Sequence, residues 1–393
     1  MMTKLPIIGS AGSLSDALYA LMHVPCTQVQ ASCRARLAAA LDAGTAHTAD
    51  SGIAAFYLVL EALKTLSARK EVVLPAYTAG SLVVAVKKAG LKPVLCDISL
   101  SDYNADAAAM QSVGSAHTLA VVAVHMFGIP IGSAGALADS MPEGAYLIED
   151  CCQAMGARIQ DRQVGSFGQI SFFSFNRGKN LPANNGGCII ARSSACENAI
   201  KNTMISCPEP AAGAWFGAFM KNLLFMTGTN PFIFGIAHSL AAGFRETAPP
   251  ERIRVCALGN FQSALCLRSL KKKDVLFTGR LRNGMALLKG LEGIQGLRLP
   301  MIRQGVVPVF NRLPVIFEDA GLVNKAQKAL WQNGIGSSPM YARPLHHMFD
   351  LGYARSDFPN ACFLAEHLLT LPVHPGVSEH HIRAMIDTLR SIA

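Results

Sequence analysis

Six short apolar runs recur along the first half of the chain: EVVL at 71–74, PVLCD at 93–97, LAVVAV at 119–124, YLIED at 146–150, QISFF at 169–173 and GCIIA at 187–191. Runs this short and this uniformly apolar predict strands buried on both faces, because a half-exposed strand would alternate polar and apolar side chains. The stretch 51–66 (SGIAAFYLVLEALKTL) reads as a glycine turn opening an amphipathic helix, and 81–89 as a helix closed by Gly90. Strands alternating with helices predict an α/β fold with a mainly parallel sheet covered on both faces. Ligands in such sheets sit beyond the carboxyl ends of the strands.

From about residue 250 the pattern changes to a long helix at 260–289, a proline-marked strand at 306–317, a helix at 324–333 and a final helix after Pro375. The expected organisation is a large domain over 1–250, with an apolar insertion at 214–244, and a smaller C-terminal α+β domain over 251–393. With 51% hydrophobic and 16% charged residues, the chain has ample apolar surface to bury, which excludes disorder. The low charged fraction predicts extensive interfaces, a membrane contact, or both.

The net charge of +9 fits phosphate-bearing partners or an anionic surface. Nucleic acid is not expected: the only tight basic run, Lys271 to Lys273, has no interleaved aromatics and reads as a solvated helix face. The 11 cysteines include the adjacent pair Cys151 and Cys152 but no CxxC and no His/Cys ladder with metal spacing. No metal site or disulfide framework is expected, and reduced thiols fit a cytoplasmic protein. The first 25 residues lack the core of a secretory signal.

The outlier in composition is 214–244, AWFGAFMKNLLFMTGTNPFIFGIAHSLAAGF, with no Asp, Glu, Lys or Arg from 222 to 244. Gly228, Thr229, Asn230 and Pro231 interrupt it, leaving two short apolar pieces. Three readings stay open: a buried dimer or interdomain surface, a monotopic membrane contact, and a true span.

The chemistry concentrates in IEDCCQAMGA, followed by SFNRGKN. Asp150 ends a buried strand, where a carboxylate is costly without a partner or a task. Lys179 lies on a glycine-containing turn after the next strand, so its amine can reach the same crevice. A lysine that forms an imine with a carbonyl, plus an acid that keeps a pyridinium nitrogen protonated, is what pyridoxal 5′-phosphate (PLP) chemistry requires. An ion pair at the crevice rim is the other reading of the same two residues.

These residues resemble the DegT/DnrJ/EryC1/StrS family of PLP-dependent sugar aminotransferases. The similarity runs along nearly the whole chain, through SGIAAFYLVLEAL, VVLPAYTAGSLVVAVKKAGLKPVLCDI, VHMFGIPI, LIEDCCQAMGARIQDRQVGSFGQISFFSFNRGKN, GNFQSALCLRSL, YARPLHHMFDLG and LTLPVHPGVSEHHI, in family order. The resemblance implies the type I PLP-dependent transferase fold. It makes Lys179 the Schiff-base lysine and proton carrier, Asp150 the partner of the pyridine nitrogen, and Gln153 a contact of the ring's phenolic oxygen. Ser174 and the backbone amides of Gly52 and Ile53 would bind the phosphate. Tyr341 and His346 fall where relatives line the sugar end of the site, while His125 and His374 read as architectural. Lys179 argues against the family's dehydratases, which carry histidine there.

Three positions depart from the family pattern: Ile53 replaces a Thr or Ser, Ala79 stands where an aromatic ring commonly stacks on the cofactor, with Tyr77 nearby, and Arg254, Val255, Cys256 and Ala257 replace an Asn and Arg-Met pattern. The resemblance implies a homodimer that takes an amino group from L-glutamate and passes it to a nucleotide-linked keto sugar, for amino-sugar or surface-polysaccharide synthesis. The departures keep two alternatives open: a non-catalytic or regulatory member of the fold, and a membrane-docked member working beside lipid-linked sugars through 214–244.

Overall fold

The computed structural model describes residues 3–10, 12–132, 134–139, 141–240 and 252–392. The last four residues of the apolar stretch, 241–244, and the expected boundary at 250/251 lie outside the described residues. In chain order the first half contributes β1 (His47–Ala49), β2 (Glu71–Pro75), β3 (Lys92–Cys96), β4 (Thr118–Val124), β5 (Tyr146–Asp150), the short hairpin β6 (Arg158–Ile159) and β7 (Arg162–Gln163), then β8 (Ile170–Ser174) and β9 (Gly187–Ala191). The second half adds β10 (Leu297–Arg298), β11 (Val306–Val307), β12 (Leu313–Phe317) and β13 (Leu368–Leu371).

Seven strands form the main sheet in the order β1-β9-β8-β5-β4-β2-β3. The five from β3 to β8 run parallel; β9 runs antiparallel to β8, and β1 antiparallel to β9. Every residue of β4 and β8 is buried, as the uniformly apolar runs require. The helix Gly52–Lys64 lies on this sheet and buries nine of its 13 residues. An antiparallel sheet β10-β12-β13 forms the second unit of the core. The two halves are also stitched by β11, which pairs with β6 of the first.

Two expected elements are divided. The helix expected over 260–289 breaks at Lys272 into Asn260–Lys271 and Lys273–Leu291. Lys272 leaves the helical path there and its Nζ pairs with Asp16 at 2.6 Å. The strand expected over 306–317 becomes β11 and β12, because Pro308 has no N–H for a ladder and residues 308–312 turn inward to the site.

The apolar stretch forms two helices, Ala214–Gly228 and Pro231–Leu240, separated at Thr229–Asn230. Among the described residues, no helix is long and apolar enough to cross a membrane. Phe216, Met220 and Leu224 stand exposed at four-residue spacing on the first of these helices. Leu14, Leu18 and Met22 do the same on the helix Leu14–Met22, which packs beside it. Each of these two packed helices thus presents a row of large apolar side chains to solvent.

The two ends of the chain meet at His374. Its buried ring donates from Nε2 to the Pro6 carbonyl (3.0 Å) and accepts at Nδ1 from the Gly376 amide (3.2 Å), which fixes the neutral tautomer. Burial pushes its pKa down to about 4. In the unfolded chain an imidazole titrates near ~6.5, so on acidification the unfolded state binds a proton the folded state resists. Stability therefore falls as pH drops from about 6.5 and this contribution levels off near pH 4, for a loss of roughly 3 kcal/mol. Urea unfolding at pH 7 and pH 4 should show that drop, and His374→Gln should remove this part of it.

Candidate active site

The carboxyl ends of β4, β5 and β8 point into one crevice. Beyond β4, His125 donates its backbone N–H to the carbonyl of Asp150 (3.1 Å). Its ring is wholly buried, with Nε2 3.1 Å from Glu149 and Nδ1 accepting from the Ile131 amide. Glu149 also accepts from the amides of Gly165, Phe167 and Gly168. Burial alone would raise the pKa of Glu149, but His125 and these amides outweigh it and hold the carboxyl below its usual range. This network points away from the crevice and fixes the end of β5.

Asp150 is the next residue and faces the other way. Its Oδ1 accepts from the amide of Cys152 (2.9 Å), and burial raises its pKa against the opposing pull of that amide, Lys179 and His125. A carboxyl so placed gains most from a cation brought against it. Gln153 is buried one turn on; its Oε1 accepts from the Phe127 amide (3.1 Å), and its Nε2 lies 3.5 Å from the hydroxyl of Tyr341. Tyr341 sits with Asp150, Cys152 and Arg312 around it, and its ring meets that of Tyr77 edge-on at 5.9 Å. Tyr77 is buried and donates to the Met340 carbonyl. Ala79 is half-buried two residues further along the same loop.

Lys179 is carried on the loop after β8, whose backbone is held from several sides by buried side chains. Asn311 donates to the Gly178 carbonyl (2.7 Å), Arg280 to the Lys179 carbonyl (3.2 Å), and Asn180 to the carbonyls of Gln153 (2.9 Å) and Val309 (2.7 Å). Gly178 has φ +79, and a Cβ there would lie 2.7 Å from Ile8, so this turn requires glycine. The apolar insertion braces the same loop: Asn184 donates to the Ala218 carbonyl (2.9 Å), and the Arg177 guanidinium lies over Phe225.

Opposite this loop, the helix Gly52–Lys64 opens with Ser51 as its cap, Oγ accepting from the Ala54 amide (3.2 Å). Its amino end abuts β8 so closely that a Cβ on Gly52 would meet Ser174 Cβ at 2.7 Å, Ser174 Oγ at 3.0 Å and Cys152 Sγ at 3.2 Å. Gly52 and Ser174 are thus brought together at a helix N-terminus, a natural anion cradle. Ile53 packs its side chain on the core, leaving only its backbone for any ligand. Gly52→Ala is expected to weaken PLP binding about tenfold or more, through overpacking worth roughly 1–3 kcal/mol. Cofactor titration followed by absorbance measures it.

Two cations at this site were not apparent in the sequence. Arg280 is buried and Arg312 half-buried, and each has a buried Nε with no hydrogen-bond partner among the described residues, while the other nitrogens of Arg280 donate to the carbonyls of Phe310, Asn311 and Lys179. Burial, then the proximity of Arg312, pushes the Arg280 pKa down to about 10; burial likewise lowers that of Arg312, against Tyr341 and Tyr77. The signal for Arg312 was a single arginine inside the apolar run VVPVFNRLPVIF. His346, by contrast, directs its ring toward His347, Phe358, Arg355 and Cys362. A cleft of 680 Å³ borders the 176–185 loop, lined by Asn176, Arg177, Asn185 and Arg254. Asp150 and Lys179 do not line it.

A buried carboxyl inviting a cation, a lysine on a rigid loop, and a serine–glycine cradle at a helix N-terminus fit PLP, and together with the sheet they define a PLP-dependent transferase of the type I fold. The profile of the DegT/DnrJ/EryC1/StrS aminotransferase family matches residues 30–216 and 254–390, and the chain belongs to that family. Its cofactor is PLP, and its class is that of the sugar aminotransferases. The chain is 27% identical over 342 residues to UDP-N-acetyl-3-dehydro-alpha-D-glucosamine 3-aminotransferase of Acidithiobacillus ferrooxidans, covering 86% of this chain and 82% of the relative. It is 26% identical to dTDP-3-amino-3,4,6-trideoxy-alpha-D-glucose transaminase of Micromonospora megalomicea subsp. nigra, over 89% and 86% of the two chains. The fold matches the crystal structure of an aminotransferase from Streptoalloteichus hindustanus with a TM-score of 0.78, 22% identity and 98% coverage of each chain.

Proposed function

We propose that the chain transfers an amino group from L-glutamate to a keto sugar linked to a nucleoside diphosphate, in amino-sugar or surface-polysaccharide synthesis in the cytoplasm. The observation that carries this reading is the half-buried Arg312 guanidinium, whose buried Nε has no hydrogen-bond partner among the described residues. Burying part of a cation without a counter-charge costs roughly several kcal/mol, so a site that keeps one is suited to an anion. Arg312, beside Tyr341, is placed for the carboxylate of the donor or the diphosphate of the acceptor.

When bound, PLP supplies an electron sink conjugated to the carbon that carries the amino group. The residues do the rest. Lys179 Nζ would hold the cofactor covalently and, when free, would accept the proton from the donor's Cα and return it to the substrate. Asp150 would pair with the protonated pyridine nitrogen, which would satisfy its own buried charge. Gln153 orients the ring by its phenolic oxygen, Ser174 with the amides of Gly52 and Ile53 binds the phosphate, and Tyr341 closes the sugar side. The aromatic lid that Ala79 omits is supplied in part by Tyr77.

The chain acts as a homodimer in this reading, supported by the paired apolar rows of Leu14, Leu18, Met22 and Phe216, Met220, Leu224. A lipid surface is the other occupant of that face. Phe216→Glu with Met220→Glu separates them: loss of the dimer in sedimentation supports the first, and loss of flotation with anionic vesicles from an intact dimer supports the second. Function itself is tested by incubating the enzyme with L-glutamate and a panel of nucleotide keto sugars. Catalytic formation of 2-oxoglutarate with at least one sugar is expected. None with any sugar would remove the acceptor assignment.

A further inference from the structure

Away from the crevice, the short helix Leu345–Met348 and the start of the helix Pro359–His367 bring His346, His347 and Cys362 together, with ligand atoms all within 4.8 Å of one another. The Arg355 carbonyl joins them as a fourth corner. Cys362 Sγ lies 3.7 Å from His346 Nε2, 3.9 Å from His347 Nε2 and 3.7 Å from the Arg355 oxygen, and that oxygen is 3.4 and 2.9 Å from the two imidazole nitrogens. These are five of the six edges of a tetrahedron. A tetrahedron with edges of this size has its centre about 2.2 Å from each corner, which is the length of zinc bonds to imidazole and thiolate, ~2.0–2.3 Å.

Read as hydrogen bonds alone, the cluster is poorly satisfied. Both imidazole Nε2 atoms crowd one carbonyl oxygen, one of these contacts is long at 3.4 Å, and the Cys362 thiol is shared between that oxygen at 3.7 Å and the Asp357 carbonyl at 3.6 Å. An ion at the centre turns the two imidazoles and the thiol into ligands. We infer that His346, His347 and Cys362 form a structural zinc site, with the Arg355 carbonyl or a water in the fourth position.

The surroundings favour a cation. Asp97 and Asp357 face His346, and Asp97 and Glu366 face Cys362, with the Arg355 guanidinium the opposing charge there. Binding of zinc through the Cys362 thiolate would release the thiol proton. His347 and Cys362 are partly exposed, which gives the ion a path in. An ion here would tie Leu345–Met348 to the loop 349–358. Leu345 already donates to the Ala76 carbonyl (2.8 Å), and Tyr341 lies four residues upstream, so the clamp would steady the wall of the crevice without touching the reacting atoms. The spacing, two adjacent histidines and a cysteine 15 residues on, resembles no zinc ladder, because the loop through Arg355 folds back to close the site.

The test uses the full-length protein with its cofactor bound, stripped with chelator and titrated with Co²⁺. One equivalent per chain is expected, with tetrahedral d–d bands to the red of the cofactor absorbance, a thiolate-to-cobalt charge-transfer band, and displacement by Zn²⁺. Cys362→Ser should abolish the charge-transfer band, and His347→Gln should weaken binding by about tenfold or more. Both variants should keep the cofactor's visible absorbance, which reports the intact fold. Absence of these bands in the parent protein, or a charge-transfer band that survives Cys362→Ser, overturns the assignment.

Discussion

Replacing Lys179 with alanine should leave a folded protein that binds PLP without a covalent bond and turns over at least roughly 10³-fold more slowly, since in the proposed reading one side chain supplies both the covalent hold and the proton transfer. The fold should survive because the loop is held through its backbone: Arg280, Asn311 and Asn180 grip the carbonyls of Lys179 and Gly178 and the neighbouring strands, and none of them touches the lysine amine. The visible absorbance of the cofactor should shift to that of unbound PLP, and L-glutamate should no longer change it. Retention of the parent's band and rate in this variant would place the chemistry on another residue.

Asp150→Asn should act in opposite directions on the empty and the loaded protein. Burial raises the folded pKa of Asp150, so this carboxyl favours the folded state most below the unfolded value near ~3.9, and its contribution is lost as pH rises through the folded value. An asparagine can still accept from the Cys152 amide and carries no charge to desolvate. The cofactor-free variant should therefore melt at a higher temperature than the parent at neutral pH. With PLP bound the sign reverses, because the pyridine nitrogen loses its counter-charge, and turnover should fall by roughly 10²–10³. Melting curves of the empty protein beside single-turnover rates check both halves. A variant less stable when empty would mean that the buried charge already has a partner in the protein.

The main sheet was legible because its strands are buried on both faces, so each appears as an unbroken apolar run ending at a turn. The positions of Asp150 and Lys179 follow from the same logic, since each stands at or just past the end of such a run. What the sequence hid was long-range convergence. Arg280 sits mid-helix and Arg312 inside an apolar run, and only folding sets the first against the Lys179 loop and the second beside Tyr341 and Tyr77. The break at Lys272 left no mark in the sequence, since its side chain pairs with Asp16, 256 residues away. The division of 306–317 was marked by Pro308, but a proline does not reveal that β11 leaves to pair with β6. His346 has the residue type of a site-lining group, yet its neighbours 355 and 362 draw it into a different cluster.

The most direct measurement mixes the PLP-loaded enzyme with L-glutamate in the absence of any sugar. The visible cofactor band should give way to near-ultraviolet absorbance with release of one equivalent of 2-oxoglutarate per chain, and Lys179→Ala should do neither. An unchanged spectrum and no oxo acid from the parent enzyme, with glutamate or any other amino donor, would contradict amino transfer at this site.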